Sequence, residues 1–322
     1  MFGMATATAM TTKHISRVLV RFAWFAVAYN ILVILWGALV RATGSGAGCG
    51  NHWPLCNGQV VPLSPRVDTV IEFTHRCMTG GATFVVLGLL VWTFRATIKG
   101  QAARLGAVAA TVLLVNEAIL GALLVKLGYV TGNQSMGRVV VLSIHLSNTL
   151  LLLAALTLTA VLLKTGQMTR DLGLRGAKAI WTLIGLVATI VVGVSGSLAA
   201  LGDTLFPSTS LRAAIEQDLS AGSPLLLRLR GLHPVSALLA GAFVVWLVSR
   251  ARHGNLERLA TVVLTLLGAQ VVLGIVDVLL LAPVWMQIVH LLGADLYWVA
   301  LVALSATMLW SPNISDQAPV FN

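Results

Sequence analysis

Residues 139–163, VVVLSIHLSNTLLLLAALTLTAVLL, form an apolar run that contains no charged side chain and a single histidine, His145. A run of this length can cross the hydrocarbon core of a bilayer as one helix. Similar runs recur along the chain, which is 57% hydrophobic and only 10% charged, so the sequence predicts an all-α integral membrane protein. Eight spans are predicted, at about residues 22–40, 70–94, 105–126, 139–163, 179–201, 231–249, 259–281 and 286–310.

Basic residues predict how the spans are oriented, because Lys and Arg in short loops are retained on the cytoplasmic side. They cluster before the first span and after the second, fourth and sixth spans, so both termini are expected in the cytoplasm. The net charge of +10 is then a topology signal, and it favours contact with anionic membrane lipid. It does not predict a nucleic-acid partner, because the sequence shows no basic patch on a soluble domain. The residues concerned are Lys13, Arg17, Arg21, Arg95, Lys99, Arg104, Lys164, Arg170, Arg175, Lys178, Arg250, Arg252 and Arg258.

The predicted outer loops alternate between long and short, which indicates an internal repeat. The expected organisation is two four-helix halves, at residues 1–165 and 179–322, joined by a cytoplasmic linker at 166–178. Because four spans return the chain to the cytoplasmic side, both halves run in the same sense and form two pseudo-symmetric bundles. The outer loops are expected at residues 41–69, 127–138, 202–230 and 282–285.

Short stretches of sequence agree with this repeat. NEAILG at residues 116–121 in the third span resembles AQVVLG at 269–274 in the seventh. GALVRATGSG at 37–46, ending the first span, resembles GVSGSLAALG at 193–202, ending the fifth.

Four histidines share one place in the repeat, within about six residues of the outer start of an even-numbered span. A single histidine near a helix end is an ordinary interfacial residue, but four at matched depth indicate ligands. Imidazole binds heme iron axially and two facing helices can each supply one, whereas copper and zinc sites gather three or four ligands. The ligand candidates are His75 and His145 in the first half and His233 and His290 in the second. The other histidines are interpreted as solvated: His14, His52 and His253.

Glu72 lies three residues before His75 in IEFTHR, a spacing that puts both side chains on one face of a helix. One interpretation is an interfacial carboxylate that is hydrogen-bonded to water or to Arg76. The other is a functional carboxylate beside a substrate, where it accepts or relays a proton. Three more acidic residues lie in or near spans, with quinone contact, helix pairing and proton transfer all open as roles: Glu117, Asp277 and Asp295.

Cys49 and Cys56 both lie in the first outer loop, on the oxidising face of the membrane, so a disulfide is expected. Their spacing is too wide for a thioredoxin-type CxxC motif. Two interpretations remain open: a structural staple of a glycine-rich loop, or a redox-active pair near the substrate. Cys77, inside the second span, is predicted to be a small buried apolar residue.

Five motifs in the required order resemble the heme A synthase family of bacteria and mitochondria, and the resemblance covers essentially the whole chain. It implies oxidation of the C8 methyl group of heme O to the formyl group of heme A, by successive hydroxylations with water as the oxygen source. The product is the porphyrin of terminal oxidases. The motifs are RATGSGAGCGNHWPLCNG at 41–58, EFTHR at 72–76, IHLSN at 144–148, GLHP at 231–234 and IVHLLGADL at 288–296.

The resemblance also implies roles for individual residues. His233 and His290 would be the axial ligands of a bound heme b, while His75 and His145 would face the iron of the substrate heme O. Glu72 would match the functional carboxylate of the family, and Arg76 would steady it or a heme propionate. The implied location is the cell membrane, with the heme sites toward its outer face.

The third outer loop combines one further expectation with one departure from the family. Leu211, Ile215 and Leu219 recur every four residues after Ser210, which predicts a short amphipathic helix over the second heme. Some members of the family carry a second cysteine pair in this loop, but residues 202–230 contain no cysteine. Any scheme that needs cysteines at both hemes is therefore in doubt.

Two alternative functions belong to other classes. A membrane diheme electron carrier that oxidises quinol would share the four histidines but gives no reason for Glu72. A quinone-linked thiol oxidase would act at Cys49 and Cys56 but leaves the histidines unexplained. The partners implied by the resemblance are the farnesyltransferase that makes heme O and an electron acceptor such as a quinone, and a homo-oligomer is left open.

Overall fold

The computed structural model describes residues 15–63, 65–173, 176–250 and 256–310. In these ranges the chain forms α-helices, two short 3-10 helices and no strand. Five residues named in the sequence analysis lie outside the described residues: Lys13, His14, Arg175, Arg252 and His253. The α-helices are α1 Arg17–Ala42, α2 Val67–Ala96, α3 Ala103–Lys126, α4 Met136–Thr165, α5 Ala177–Leu205, α6 Leu211–Leu219, α7 Leu225–Ser249, α8 Glu257–Leu279 and α9 Val284–Trp310.

Every helix in this set except α6 is long and apolar enough to cross a membrane, which gives eight spans within the described residues. The prediction of an all-α, multi-pass membrane protein is confirmed. The largest difference from the predicted bounds is at α7, which begins at Leu225, six residues before the predicted start at 231. The early start includes Arg228 and Arg230, whose charges made this stretch look like loop.

The long helices pack as two rings of four. In the first ring, α1 contacts α2 and α4, and α3 contacts the same two helices. In the second, α5 contacts α7 and α9, and α8 contacts the same two helices. The rings meet where α1 and α4 pack against α5 and α9, and the indole N–H of Trp298 on α9 donates a 2.8 Å hydrogen bond to the Leu150 carbonyl of α4.

Hydrogen bonds between loops show which helix ends lie together. The Thr169 amide donates to the Gly100 carbonyl at 2.7 Å, which joins the α2–α3 connection to the α4–α5 connection. At the opposite end, the Thr131 hydroxyl donates to the Gly44 carbonyl at 2.5 Å and joins the α1–α2 and α3–α4 loops. We call this second end, which carries Cys49, the cysteine end.

Helix α6 lies at the cysteine end and begins as predicted, with the Ser210 hydroxyl accepting a 3.2 Å hydrogen bond from the Ala213 amide. Its polar side is attached to α7, because Arg230 pairs with Asp218 at 2.7 Å. Leu219, on its apolar side, is 80% exposed. The predicted short amphipathic helix is confirmed, and the described residues leave its apolar side exposed. Its position over a heme stays a prediction.

Candidate heme sites

The four candidate ligands lie at similar depth, about two turns from the helix ends at the cysteine end. His75 is on α2, His145 on α4, His233 on α7 and His290 on α9. His75 interacts electrostatically with His145, and His290 with His233, so the structure places them in two pairs, one in each ring. All four are partly exposed rather than sealed in the core.

In each ring, the first histidine is seated on a glycine of the preceding long helix. A Cβ atom on Gly37 of α1 would lie 3.0 Å from His75 Nε2, and one on Gly196 of α5 would lie 2.8 Å from His233 Cε1. Both distances are too short for an ordinary contact, so the imidazoles occupy space that any larger residue would fill. In the structure, Gly37 is therefore equivalent to Gly196. The comparison of GALVRATGSG with GVSGSLAALG had aligned Gly37 with Gly193, three residues earlier.

The second histidine of each ring also faces a glycine of the preceding long helix, but less tightly. A Cβ atom on Gly274 of α8 would lie 3.3 Å from His290 Cε1, and one on Gly121 of α3 would lie 3.9 Å from His145 Cε1. These two glycines end the stretches NEAILG and AQVVLG, so here the sequence comparison and the structure agree. We call the set the seat glycines: Gly37, Gly121, Gly196 and Gly274.

The ring nitrogens differ in their partners. His75 interacts with the Val33 carbonyl of α1. His233 interacts with the Val192 carbonyl of α5, and its Nδ1 lies 3.1 Å from the Ser195 hydroxyl. Among the described residues, the Nδ1 atoms of His145 and His290 are buried without a hydrogen-bond partner.

This donor set fits heme. Among the described residues, no three His, Cys, Asp or Glu side chains converge as they would at a zinc or copper site. Two imidazoles suffice for heme iron, because the porphyrin supplies its other four ligands. The seat glycines have no Cβ atom, so the imidazoles can lie against the helix backbone.

Glu72 is buried on α2 and is held from two sides. Arg76, one turn further along, donates to its Oε1 from Nη2 at 2.5 Å and from Nε at 3.2 Å. The Cys49 amide donates to its Oε2 at 2.7 Å. Arg76 also donates to the carbonyls of His52 and Leu55, each at 2.6 Å, so it ties the carboxylate to the cysteine-containing loop.

The loop itself is fastened to α2. Cys49 and Cys56 form the expected disulfide, and both are buried. A Cβ atom on Gly48 would lie 2.5 Å from the Asp68 backbone, so only glycine permits this approach of loop to helix. The prediction that Cys77 is buried is wrong: its thiol is exposed at the surface of α2. In a lipid environment this costs little, since the surroundings are as apolar as a core.

The sequence profile of the COX15-CtaA family, described as cytochrome oxidase assembly protein, matches residues 20–302. That match covers most of the chain. The chain belongs to the COX15-CtaA family.

Similar proteins agree with this membership. A protein named protoheme IX farnesyltransferase from Thermus thermophilus is 47% identical over 304 residues, which are 93% of this chain and 50% of that protein. A heme A synthase from Alkalihalophilus pseudofirmus is 36% identical over 132 residues, 41% of this chain and 42% of that protein. One from Exiguobacterium sp. is 30% identical over 183 residues, 57% of this chain and 58% of that protein. The chain thus spans about half the length of the curated relatives it matches.

In this COX15-CtaA protein, Glu117 on α3 forms a cluster that sequence reasoning missed. Its Oε1 lies 3.5 Å from His145 Nδ1 and also accepts from the Thr149 hydroxyl. Its Oε2 accepts from the Asn148 amide at 2.5 Å. Glu117 precedes the seat glycine Gly121 by four residues, so one helical turn separates the two. That spacing was the available signal, but the partners on α4 are distant in the sequence.

The two remaining acidic residues are in different surroundings. Asp295, on α9, is 1% exposed, and its Oδ2 has no hydrogen-bond partner among the described residues. Asp277 lies near the cysteine end of α8 and interacts electrostatically with Asp203 and Arg41. Arg41 in turn donates to Gln287 Oε1 at 3.1 Å, which links α1 to α9 across the two rings.

Proposed function

We propose that this protein is a heme A synthase, which oxidises the C8 methyl group of heme O to a formyl group. The observation that carries the proposal is an asymmetry between two otherwise similar sites. In the first ring, the residue three positions before His75 is the buried carboxylate Glu72; in the second, the residue three positions before His233 is Arg230. Both rings offer a pair of imidazoles, but only the first offers a base at this place. Membership of the COX15-CtaA family and the similarity to heme A synthases support the same conclusion.

The substrate is assigned to the ring that contains Glu72. Heme O would be held there by His75 and His145, and heme b would be held by His233 and His290. When bound, heme b supplies a one-electron acceptor close to the substrate. Because the imidazoles lie at one depth, they would hold the substrate at a fixed height in the ring that contains Glu72.

The reaction balances as two successive hydroxylations. Each converts a C–H bond and one water into a C–OH bond, two protons and two electrons; the second gives a gem-diol, which loses water to form the aldehyde. We assign to Glu72 the acceptance of the proton as each C–H bond breaks. Arg76 and the Cys49 amide position its two oxygens for that task. The four electrons leave to an acceptor, for which a quinone is the candidate class.

The proposed location is the cell membrane, with the cysteine end outside and both termini in the cytoplasm. The disulfide supports this, because disulfides persist in oxidising compartments. The connections at the opposite end carry the basic residues expected of cytoplasmic loops. Those described are Arg95, Lys99, Arg104, Lys164, Arg170, Lys178, Arg250 and Arg258.

A heme O-forming farnesyltransferase is the proposed partner. The relative from Thermus thermophilus bears the name of such an enzyme, and this chain matches half of its length. Physical proximity would also serve the substrate, because heme O is too apolar to diffuse through water.

The role of Glu72 is tested by Glu72→Gln, which keeps the size of the side chain and removes its charge. Both the variant and the wild type are made in cells that supply heme O, and the extracted hemes are resolved by chromatography and mass. We expect the variant to accumulate heme O, with heme A and its hydroxylated precursor reduced at least tenfold. The matched control is Asp68→Asn on the same helix, whose half-exposed carboxylate pairs with Arg66 and should leave the products unchanged.

The diheme electron carrier makes the opposite prediction. It requires two heme b molecules in the wild type, no derivative of heme O, and no effect of Glu72→Gln on heme composition. That result would overturn the proposed function.

A further inference from the structure

Glu117 marks a second difference between the rings. It concerns the second histidine of each ring, His145 in the first and His290 in the second. Its Oε1 lies 3.5 Å from His145 Nδ1, and among the described residues that nitrogen has no other polar partner. The carboxylate is fixed from behind by the Thr149 hydroxyl on Oε1 and the Asn148 amide on Oε2. Asn148 is itself held, because Asn116 donates to its Oδ1 at 2.7 Å. The carboxylate is therefore a built part of the site and not a mobile surface group.

The matched position of the second ring holds a neutral side chain. NEAILG aligns with AQVVLG through the seat glycines, which pairs Glu117 with Gln270. Gln270 does not approach the ring nitrogen of its histidine; its Nε2 donates to the His290 backbone carbonyl at 3.0 Å. Neither His290 Nδ1 nor His145 Nδ1 makes a hydrogen bond to the described residues, but only His145 Nδ1 has a carboxylate oxygen nearby, at 3.5 Å. One ring thus has a carboxylate behind its second histidine, and the other has an amide that is bound elsewhere.

We propose that Glu117 is a positioning residue that accepts the Nδ1–H of His145, makes that imidazole a more anionic ligand, and gives heme iron in the first ring a lower reduction potential than in the second. The inference rests on the proposed heme-binding function. A carboxylate that receives the N–H of a ligating imidazole raises its basicity and stabilises the more oxidised metal. The Glu117 and His145 side chains are only 19% and 24% exposed, so water has limited access to the pair.

The consequence is a direction for electron transfer. With heme bound in both rings, the first would be the electron donor and the second the acceptor, because an electron moves from the couple of lower potential to that of higher potential. That direction carries electrons away from the substrate ring, as oxidation of a methyl group requires. The Ser195 hydroxyl at His233 Nδ1 is neutral, and the charged neighbour of His75, Arg76, is paired with the opposite charge of Glu72.

The test is a spectroelectrochemical titration of the purified full chain, reconstituted with iron protoporphyrin IX in both rings. The wave that disappears in His145→Ala is assigned to the first ring. We expect Glu117→Gln to shift that wave to higher potential and to leave the second wave in place. In the matched reverse variant, Gln270→Glu, we expect the second wave to shift to lower potential.

A second variant covers the case in which Glu117→Gln does not fold. Thr149→Val removes one hydrogen bond to the carboxylate and retains its charge, so we expect a smaller shift in the same direction. An unchanged first-ring potential in Glu117→Gln, with two hemes bound, would overturn the inference and leave the proposed function standing. Failure of the wild-type first ring to bind heme would instead count against the proposed function.

Discussion

The disulfide acts on Glu72 through the backbone, because the Cys49 amide is one of the two groups that hold the carboxylate. In the double variant Cys49→Ser, Cys56→Ser, we expect both hemes to be retained and heme O oxidation to fall several-fold without being lost. The stability loss should be about 2 kcal/mol, as for other short loops. Extracted heme products and thermal unfolding measure the two effects, with Cys77→Ser as the control that changes neither.

Complete loss of oxidation in the double cysteine variant, with both hemes still bound, would contradict this expectation. That outcome would favour a redox-active cysteine pair, as in the thiol-oxidase interpretation. A structural staple predicts partial loss only, because Arg76 continues to hold Glu72 when the disulfide is absent.

At the residue scale, the sequence predicted what depends on local spacing. Glu72, His75 and Arg76 are neighbours on one helix, so their proximity follows from helical geometry alone. The cluster of Glu117 with Asn148 and Thr149 joins two helices, and neither sequence distance nor composition indicates such a contact. For the same reason the sequence placed Glu117 in a span but gave it no role.

The next scale is that of the helices, where Gly37 and Gly196 set how closely His75 and His233 approach the neighbouring helix. We expect Gly37→Ala to lower heme occupancy of the first ring and Gly196→Ala that of the second, because the added Cβ displaces the imidazole at a cost of about 1–3 kcal/mol. Heme content per purified chain measures both effects. Gly121→Ala is the matched control, since its Cβ would lie at an ordinary contact distance of 3.9 Å from His145.

Equal heme occupancy in Gly37→Ala, Gly196→Ala and Gly121→Ala would show that the seats are not required. It would mean that the space beside His75 and His233 can accept a Cβ atom without loss of heme.

Arg230 is the attachment point of α6, since it pairs with Asp218 on α6 and with Asp203 on α5. We expect Arg230→Ala to cost about 3 kcal/mol, because it leaves two half-buried carboxylates without their cation. Limited proteolysis should then cleave within residues 206–224 at least tenfold faster. Arg212→Ala is the control, because Arg212 and Glu216 form an exposed pair on the same helix that contributes little. Equal cleavage rates in the two variants would mean that Arg230 does not attach α6.

The same arginine explains why the start of α7 was predicted too late. A prediction from hydropathy places charged residues in loops. It takes no account of the ion pairs that Arg230 forms with aspartates on two other helices. The remaining spans were predicted closely, because long apolar helices in lipid have no alternative way to satisfy their backbone.

For the whole molecule, the proposed topology has the cysteine end outside. In a background with Cys49, Cys56 and Cys77 replaced by Ser, we expect Val60→Cys to react with a membrane-impermeant maleimide in intact cells. Val60 is a suitable site because it is 77% exposed in the first long loop. Lys99→Cys, in the α2–α3 connection, should react only after permeabilisation. The reverse labelling would invert the proposed orientation.

The two-ring organisation was accessible from the sequence because the repeat preserves loop lengths and histidine depth. The chemical difference between the rings was not accessible in this way, because it depends on single residues at equivalent positions of the repeat. Glu72 stands where the second ring has Arg230, and Glu117 stands where it has Gln270. Correct pairing of these positions depends on the seat glycines, whose role is visible only when the helices are packed.

The most direct measurement is the heme composition of the purified wild-type protein from cells that supply heme O, extracted and resolved by mass. Oxidation of heme O in the first ring predicts heme b together with heme A or its hydroxylated precursor. Two heme b molecules in each chain, with no heme O derivative, would contradict it and identify the protein as an electron carrier.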